Sequence, residues 1–190
     1  MYKHAKDSQI TITELMLPAH SNFSGKIHGG HILNLMDQIA FACASRHSRN
    51  YCVTASVNKV DFLNPIDVGE LVTLKASINY TGRTSMVVGV RVESENIQTG
   101  KIKHCNSSYF TMVAKDEHGK NATIPGLILD SKQSIRRFAR SIARQEQTKK
   151  RTSRFKSSEF KIKTYLEALK SHNVKIVAFL TFMYMLCSVY

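Results

Sequence analysis

Residues 28–44 read HGGHILNLMDQIAFACA. Two glycines and a histidine lead into a run whose apolar residues (Ile32, Leu33, Leu35, Met36, Ile39, Ala40, Phe41, Ala44) point in nearly every direction around a helical axis. A helix over 31–46 with that pattern expects cover on most sides, so it dictates what must surround it. One carboxylate, Asp37, interrupts it. Its neighbours one turn away are Leu33, Asn34, Ala40 and Phe41, which makes an apolar setting for a charge. An ionised carboxylate there is costly unless something compensates. Two readings stand side by side: Asp37 meets a lysine, a backbone amide or water at a subunit junction, or it is a general base or nucleophile held in a desolvated site.

Around this helix the chain is mostly strand. SQITITEL (8–15) alternates, with Ile10 and Ile12 on one face, and predicts a first strand. Four more runs follow: 51–62, 70–80, 84–94 and 98–115. In the second of these, Val72, Leu74, Ala76, Ile78 and Tyr80 share one face and Thr73, Lys75, Ser77 and Asn79 the other. In the third, Met86, Val88, Val90 and Val92 align, and Gly82-Arg83 predicts a tight hairpin between the two runs. The order strand, helix, four strands predicts an α+β domain in which an antiparallel sheet wraps the helix. One such sheet leaves the helix partly open and an edge strand unpaired, so self-association is expected through both.

Length and apolar content suit one domain with extensions rather than two domains. The net charge of +13 is uneven: residues 1–130 hold 13 Lys/Arg against 11 Asp/Glu, residues 131–190 hold 14 against 3. An inference from charge to an anionic partner therefore concerns residues 131–190 alone. There, 134–145 predicts a basic amphipathic helix, 148–158 a flexible basic linker, and 157–171 a second amphipathic helix. Residues 176–190 are uncharged and mostly apolar, shorter than the roughly 20 residues of a bilayer span. The expected organisation is thus 1–130 as the domain, 131–175 as basic helices and linker, and 176–190 as a hydrophobic segment without an assigned role. The N-terminal sequence lacks the features of a signal peptide. Cys43, Cys52, Cys105 and Cys187 form no CxxC pair, which suggests a cytoplasmic protein with reduced, buried thiols.

Gly29 and Gly30 precede the helix, where first-turn amides lack intrahelical partners and the dipole favours negative charge. That arrangement suits an oxyanion, although a plain loop-to-helix turn explains a glycine pair equally well. Asp37 lies about 10 Å further along the axis, too far for both to act on one atom through one straight helix. His20, His28 and His31 invite comparison with a metal cluster, but no further ligand is evident in the sequence, and no metal is expected.

Three motifs in order, SNFSGKIHGGHILNLMDQIAFACASRH (21–47), TASVNKVDFLNPIDVGELV (54–72) and YTGRTSMVVGVRVE (80–93), resemble the hot-dog-fold acyl-CoA thioesterases. The similarity is greatest to the acyl-CoA hydrolases of the cytosolic brain type and their bacterial short-chain relatives. It covers residues 8–125 and stops before the basic tail. It implies a hot-dog fold, with five antiparallel strands wrapped round a central helix. It also implies a site between two such domains, with an Asn from an N-x-x-G-x-x-H-G-G loop on one and an acid from the helix of the other. Here those positions are Asn22 and Asp37, both present in one chain, so a homodimer with two equivalent sites is implied, in a family that often builds hexamers. The implied reaction is hydrolysis of acyl-CoA to a carboxylate and CoA without a cofactor. Asp37 would activate water or attack the carbonyl, Asn22 would orient it, and amides around Gly29, Gly30 and His31 would bind the thioester oxygen. Arg83, Thr84 and Ser85 of the hairpin are implied CoA-phosphate contacts, with an exposed turn arginine as the alternative.

Three rivals share some of these features. A non-catalytic acyl-CoA sensor of this fold carries a helix-turn-helix ahead of the domain, and with the first strand beginning about eight residues in, none is expected here. A hot-dog dehydratase needs a catalytic histidine, and His28 and His31 sit poorly for that role. A nucleic-acid-binding module would rest on the tail, which has few aromatics and no recognition motif, so no specific nucleic acid is expected and weak contact with a membrane surface is preferred.

Overall fold

The computed structural model describes residues 1–154, so the expected helix at 157–171, the apolar segment 176–190 and Cys187 lie outside the described residues. The elements in chain order are β1 (Tyr2–His4), β2 (Ile10–Leu15), α1 (Gly29–Ser48), β3 (Tyr51–Val57), β4 (Asp61–Phe62), β5 (Leu71–Thr81), β6 (Ser85–Asn96), β7 (Lys101–Lys115), β8 (Gly126–Ile128) and α2 (Lys132–Arg154). The main sheet has the order β2-β5-β6-β7-β3, antiparallel throughout, with β4 pairing β7 beside β3. It curls around α1, the hot-dog arrangement the motifs implied.

The core explains the wrap. Ile32, Leu35, Met36, Ile39, Ala40, Cys43 and Ala44 of α1 are buried against Val72, Leu74, Ala76 and Ile78 of β5, Met86, Val88, Val90 and Val92 of β6, and Phe110, Met112 and Ala114 of β7. Cys43, Cys52 and Cys105 are unpaired and buried, and burial pushes the Cys43 thiol up to about 12, so it packs as a small apolar side chain. α1 ends where Arg49 turns left-handed (φ 60°) and returns its N–H to the Ser45 carbonyl at 2.8 Å. His47 is fully buried at this end: Ser8 Oγ–H donates to Nδ1 (2.9 Å) and Nε2–H donates to the Pro125 carbonyl (3.0 Å). Burial, foremost, lowers its pKa below the ordinary histidine range and so favours the neutral imidazole.

Several expectations change. The run at 51–62 is two strands, because a bulge between Thr54 and Ser56 and the irregular 58–60 stretch break it. Tyr80 is out of phase with its predicted neighbours. A bulge after Ile78 pairs Tyr80 with the outward-facing Val87 and sets its ring 4.9 Å from Phe138 of α2. β1 and β8, a short parallel pair, carry no alternation long enough to read. Residues 148–154, expected as linker, continue α2. Lys, Arg and Thr without apolar periodicity do not preclude helix once a preceding turn is anchored, and Lys and Arg are good helix formers. Residues 1–145 form one compact unit and 146–190 another, so the first part of α2 belongs with the sheet.

Candidate active site

The largest correction concerns Asp37. It is exposed rather than buried, as are Asn34, Gln38 and Phe41 on the same stripe of α1. The sheet covers the other side of the helix and leaves this stripe open. Asp37 is held from the sheet: Thr54 Oγ1–H donates to its Oδ1 at 2.6 Å. Thr54 was not a candidate from sequence. It occupies an ordinary strand position, and only the fold shows that β3 runs alongside this stripe. A cavity of about 530 Å³ opens beside the pair, lined by Leu33, Asn34, Asp37, Val57, Asn58 and Phe110 among others.

Asn22 sits in a tight loop built by its own side chain. Its Oδ1 accepts from Ser24 N–H (3.0 Å), Ser24 Oγ–H (2.7 Å) and Lys26 N–H (3.2 Å). Its backbone exchanges bonds with Lys26 and Gly25, and Gly25 takes φ +75°, a conformation that favours glycine. This explains the Asn-x-x-Gly spacing and leaves the Asn22 amide NH₂ to donate outward. The loop is fastened to the turn before β5. Lys26 pairs with Asp67, and Ile27 N–H bonds the Ile66 carbonyl at 2.8 Å. Lys103 joins Glu70 (2.8 Å) and Asp67 (3.5 Å) beneath. The Lys26 contact, foremost, holds the Asp67 carboxyl below its ordinary range.

Gly29 and Gly30 form the first turn of α1, with His28 as the capping residue. A side chain at Gly29 would meet the Phe62 ring at 2.9 Å, whereas one at Gly30 would meet nothing within 4 Å. Gly30→Ala is therefore expected to leave the melting temperature unchanged or slightly raised, since alanine is the better helix former. If the first-turn amides bind a substrate oxygen, turnover should fall about 10²-fold, because a methyl group would push that oxygen off them. Parallel melting curves and activity assays check this, and full activity in the variant would remove the glycine from the site.

Asn22 is not among the residues lining the cavity beside Asp37 within one protomer. Arg83, Thr84 and Ser85 lie in the β5–β6 hairpin, where Ser85 pairs with Val113. Gly29 lies over Phe62, which pairs with Asn106, so the two groups are on the order of 24 Å apart along β7. One protomer thus separates the expected residues into a loop, a helix stripe and a hairpin.

The histidines regroup as well. His28 stays apart, but Glu14 of β2 completes a cluster with His20 and His31 that the sequence did not reveal, their ligand atoms lying within 4.8 Å of one another. The two rings stack at 3.8 Å, and His31 Nε2 stands 3.2 Å from Glu14 Oε1. Near-parallel stacked rings aim their nitrogens side by side rather than at one point, so the geometry is that of a hydrogen-bonded carboxylate–imidazole pair.

Comparison with known proteins agrees with this architecture. A profile of the Thioesterase superfamily matches residues 24–101. Protein VdlD of Helicobacter pylori is 43% identical over 142 residues, 75% of this chain and 81% of its own. The crystal structure of an apo-hexameric acyl-CoA thioesterase superposes with a TM-score of 0.77 at 38% identity, covering 80% of this chain and 97% of that one. An acyl-CoA hydrolase from Staphylococcus aureus, solved with butyryl coenzyme A and coenzyme A, has a TM-score of 0.75 at 28% identity and covers 90% and 99%. Three alanine variants of that hydrolase have also been solved, at an Asn, an Asp and a Thr. Their separations along its chain equal those of Asn22, Asp37 and Thr54 here. The chain belongs to the thioesterase superfamily, among the hot-dog-fold acyl-CoA hydrolases.

Proposed function

We propose that this enzyme hydrolyses acyl-CoA thioesters to a carboxylic acid and CoA at sites formed between two copies of the chain. The observation that carries this reading is the Asp37–Thr54 pair, exposed on the uncovered stripe of α1 beside a cavity. Thr54 fixes one carboxylate oxygen and leaves the other free to take a proton from water or to attack the thioester carbon itself. Asn22 of the second copy donates its NH₂ to the water or to the carbonyl. First-turn amides around Gly30 and His31 receive the oxyanion, favoured by the helix dipole.

A second copy has a place to sit. Among the described residues β3 ends the sheet with one side of its backbone unpaired, and Tyr51, Val57, Phe62, Leu63 and Phe41 are exposed apolar residues along that edge and the adjoining helix stripe. Pairing two β3 edges would cover them, and the hexameric neighbour supports further assembly into a trimer of dimers. Arg83, Thr84 and Ser85, remote from Gly29 within one protomer, would then serve as CoA-phosphate contacts for a site completed by a neighbouring copy. We place the enzyme in the cytoplasm, a reading supported by its 30% identity to a cytosolic acyl coenzyme A thioester hydrolase of Rattus norvegicus. Among the described residues no helix is long and apolar enough to cross a membrane.

The test is an acyl-CoA panel from two carbons upward, with released CoA read by a thiol reagent. Turnover across part of the panel is expected. Tight binding of acyl-CoA with no release of CoA would favour the sensor reading instead.

A further inference from the structure

The outer face of the sheet, turned away from α1, carries a second and strongly basic concavity of about 600 Å³ where the first turns of α2 cross it. Six cations line it: Lys75 and Arg91 from the floor, and Arg136, Arg137, Arg140 and Arg144 from α2. Among the described residues no carboxylate does. Glu93 on the same strand as Arg91 pairs with Lys75 (2.6 Å) and Arg91 (2.7 Å), so the two floor cations share one carboxylate and keep one net positive charge. None of the four arginines has a carboxylate partner among the described residues, and Arg144 instead lies 3.6 Å over the Tyr109 ring. Arg136 with Arg140, and Arg140 with Arg144, are like charges one turn apart, a spacing that disfavours the helix. Their concentration over one polar hollow is a cost that an anion in the hollow removes.

The floor supplies an independent observation. Asn79 is 5% exposed, lines the hollow, and its Oδ1 has no hydrogen-bond partner among the described residues. Its carboxamide lies flat over Gly89, where any side chain would come within 2.2 Å of Nδ2. A glycine on β6 therefore makes room for a buried amide whose oxygen looks for a donor. A ligand that satisfies the hollow must carry phosphate-like charge for the guanidiniums, which match phosphate geometry. It must also carry a hydroxyl or amino group for Asn79. The volume is in the range of small-molecule sites.

We propose that this hollow binds a small organic phosphate of nucleotide size, its phosphates held by the α2 arginines and a hydroxyl or amino group donating to Asn79 Oδ1. The site lies on the face of the sheet opposite to Asp37, so its occupant does not compete for the thioester cavity. It bridges α2 to β5, β6 and β7, and so binding also fastens that helix to the sheet.

The experiment is calorimetric titration of the full-length oligomer at low ionic strength with two probes, ADP and inorganic pyrophosphate. Both are expected to bind, with affinity falling as salt is added. Arg137→Gln/Arg140→Gln should weaken both at least tenfold while leaving oligomer size and KM for acyl-CoA unchanged and the melting temperature without ligand unchanged or slightly raised, since like-charge repulsion along α2 is relieved. Asn79→Ala should reduce ADP binding more than pyrophosphate binding, since only ADP offers donors to that oxygen. Absence of binding by either probe at millimolar concentration overturns the proposal. So does binding unchanged in the double arginine variant. Vesicles containing phosphatidylglycerol form a third arm: arginine-dependent vesicle binding with no binding of either probe assigns the patch to a lipid surface and likewise overturns it.

Discussion

Asp37→Asn is expected to lower kcat on acyl-CoA by about 10²–10⁴-fold, the range a general base supplies. The substitution is nearly isosteric, and Thr54 can still donate to the remaining carbonyl oxygen, so the geometry at 2.6 Å survives while the basic oxygen is lost. In the protomer Asp37 is exposed, and no buried partner is stranded by the change. The melting temperature and the oligomer size should therefore stay close to those of the parent, surface changes of this kind falling within about ±0.5 kcal/mol. KM should move little, because the carboxylate acts on the reacting carbon or on water rather than on the nucleotide. The checks are steady-state kinetics with thiol detection, a melting curve and size-exclusion chromatography on the same sample. A folded oligomer that retains kcat within about threefold would contradict the role.

The helix and its wrap were legible because apolar residues at 3.6 and at 2 residue periods set which face each element buries. Val72, Leu74, Ala76 and Ile78, and Met86, Val88, Val90 and Val92, pack as their alternation predicts. The pattern failed where a single inserted residue changes the phase. Tyr80 crosses to the outer face at a bulge, and alternation alone contains no sign of one. Asp37 was legible as an anomaly but not in its environment. Sequence neighbours one turn away on α1 are not what surrounds it, because the sheet covers only one side of the helix. Thr54 and Glu14 were invisible for a related reason. Each reaches its partner across 17 residues of chain, a pairing that exists only once the strands are placed beside the helix. The basic hollow combines both effects: the arginines of α2 are plain in the sequence, whereas Asn79 and Gly89 acquire meaning only as its floor.

The proposed dependence on two copies yields the second large effect. Asn22→Ala and Asp37→Ala are each expected to be nearly inactive as homo-oligomers, since every site lacks one group. Mixed and allowed to exchange subunits, the two variants should recover activity. A dimer of one Asn22→Ala chain and one Asp37→Ala chain contains one site with both groups missing and one with both intact. Random pairing in equal amounts makes half the dimers mixed, so about a quarter of all sites are restored in an isologous dimer. If Asn22 and Asp37 acted within one chain, no pairing could restore a site, and the mixture would stay as inactive as its parts. The loop geometry gives reason to expect the first result. Asn22 Oδ1 is consumed by its own loop, and the loop is clamped to Asp67 and Ile66 at the foot of β5, so its NH₂ is not free to swing to the Asp37 cavity of the same chain. The readout is specific activity of the mixture against time after brief dissociation and reassembly. Exchange is verified by mass-tagging one partner, so that failure to mix is not mistaken for failure to complement.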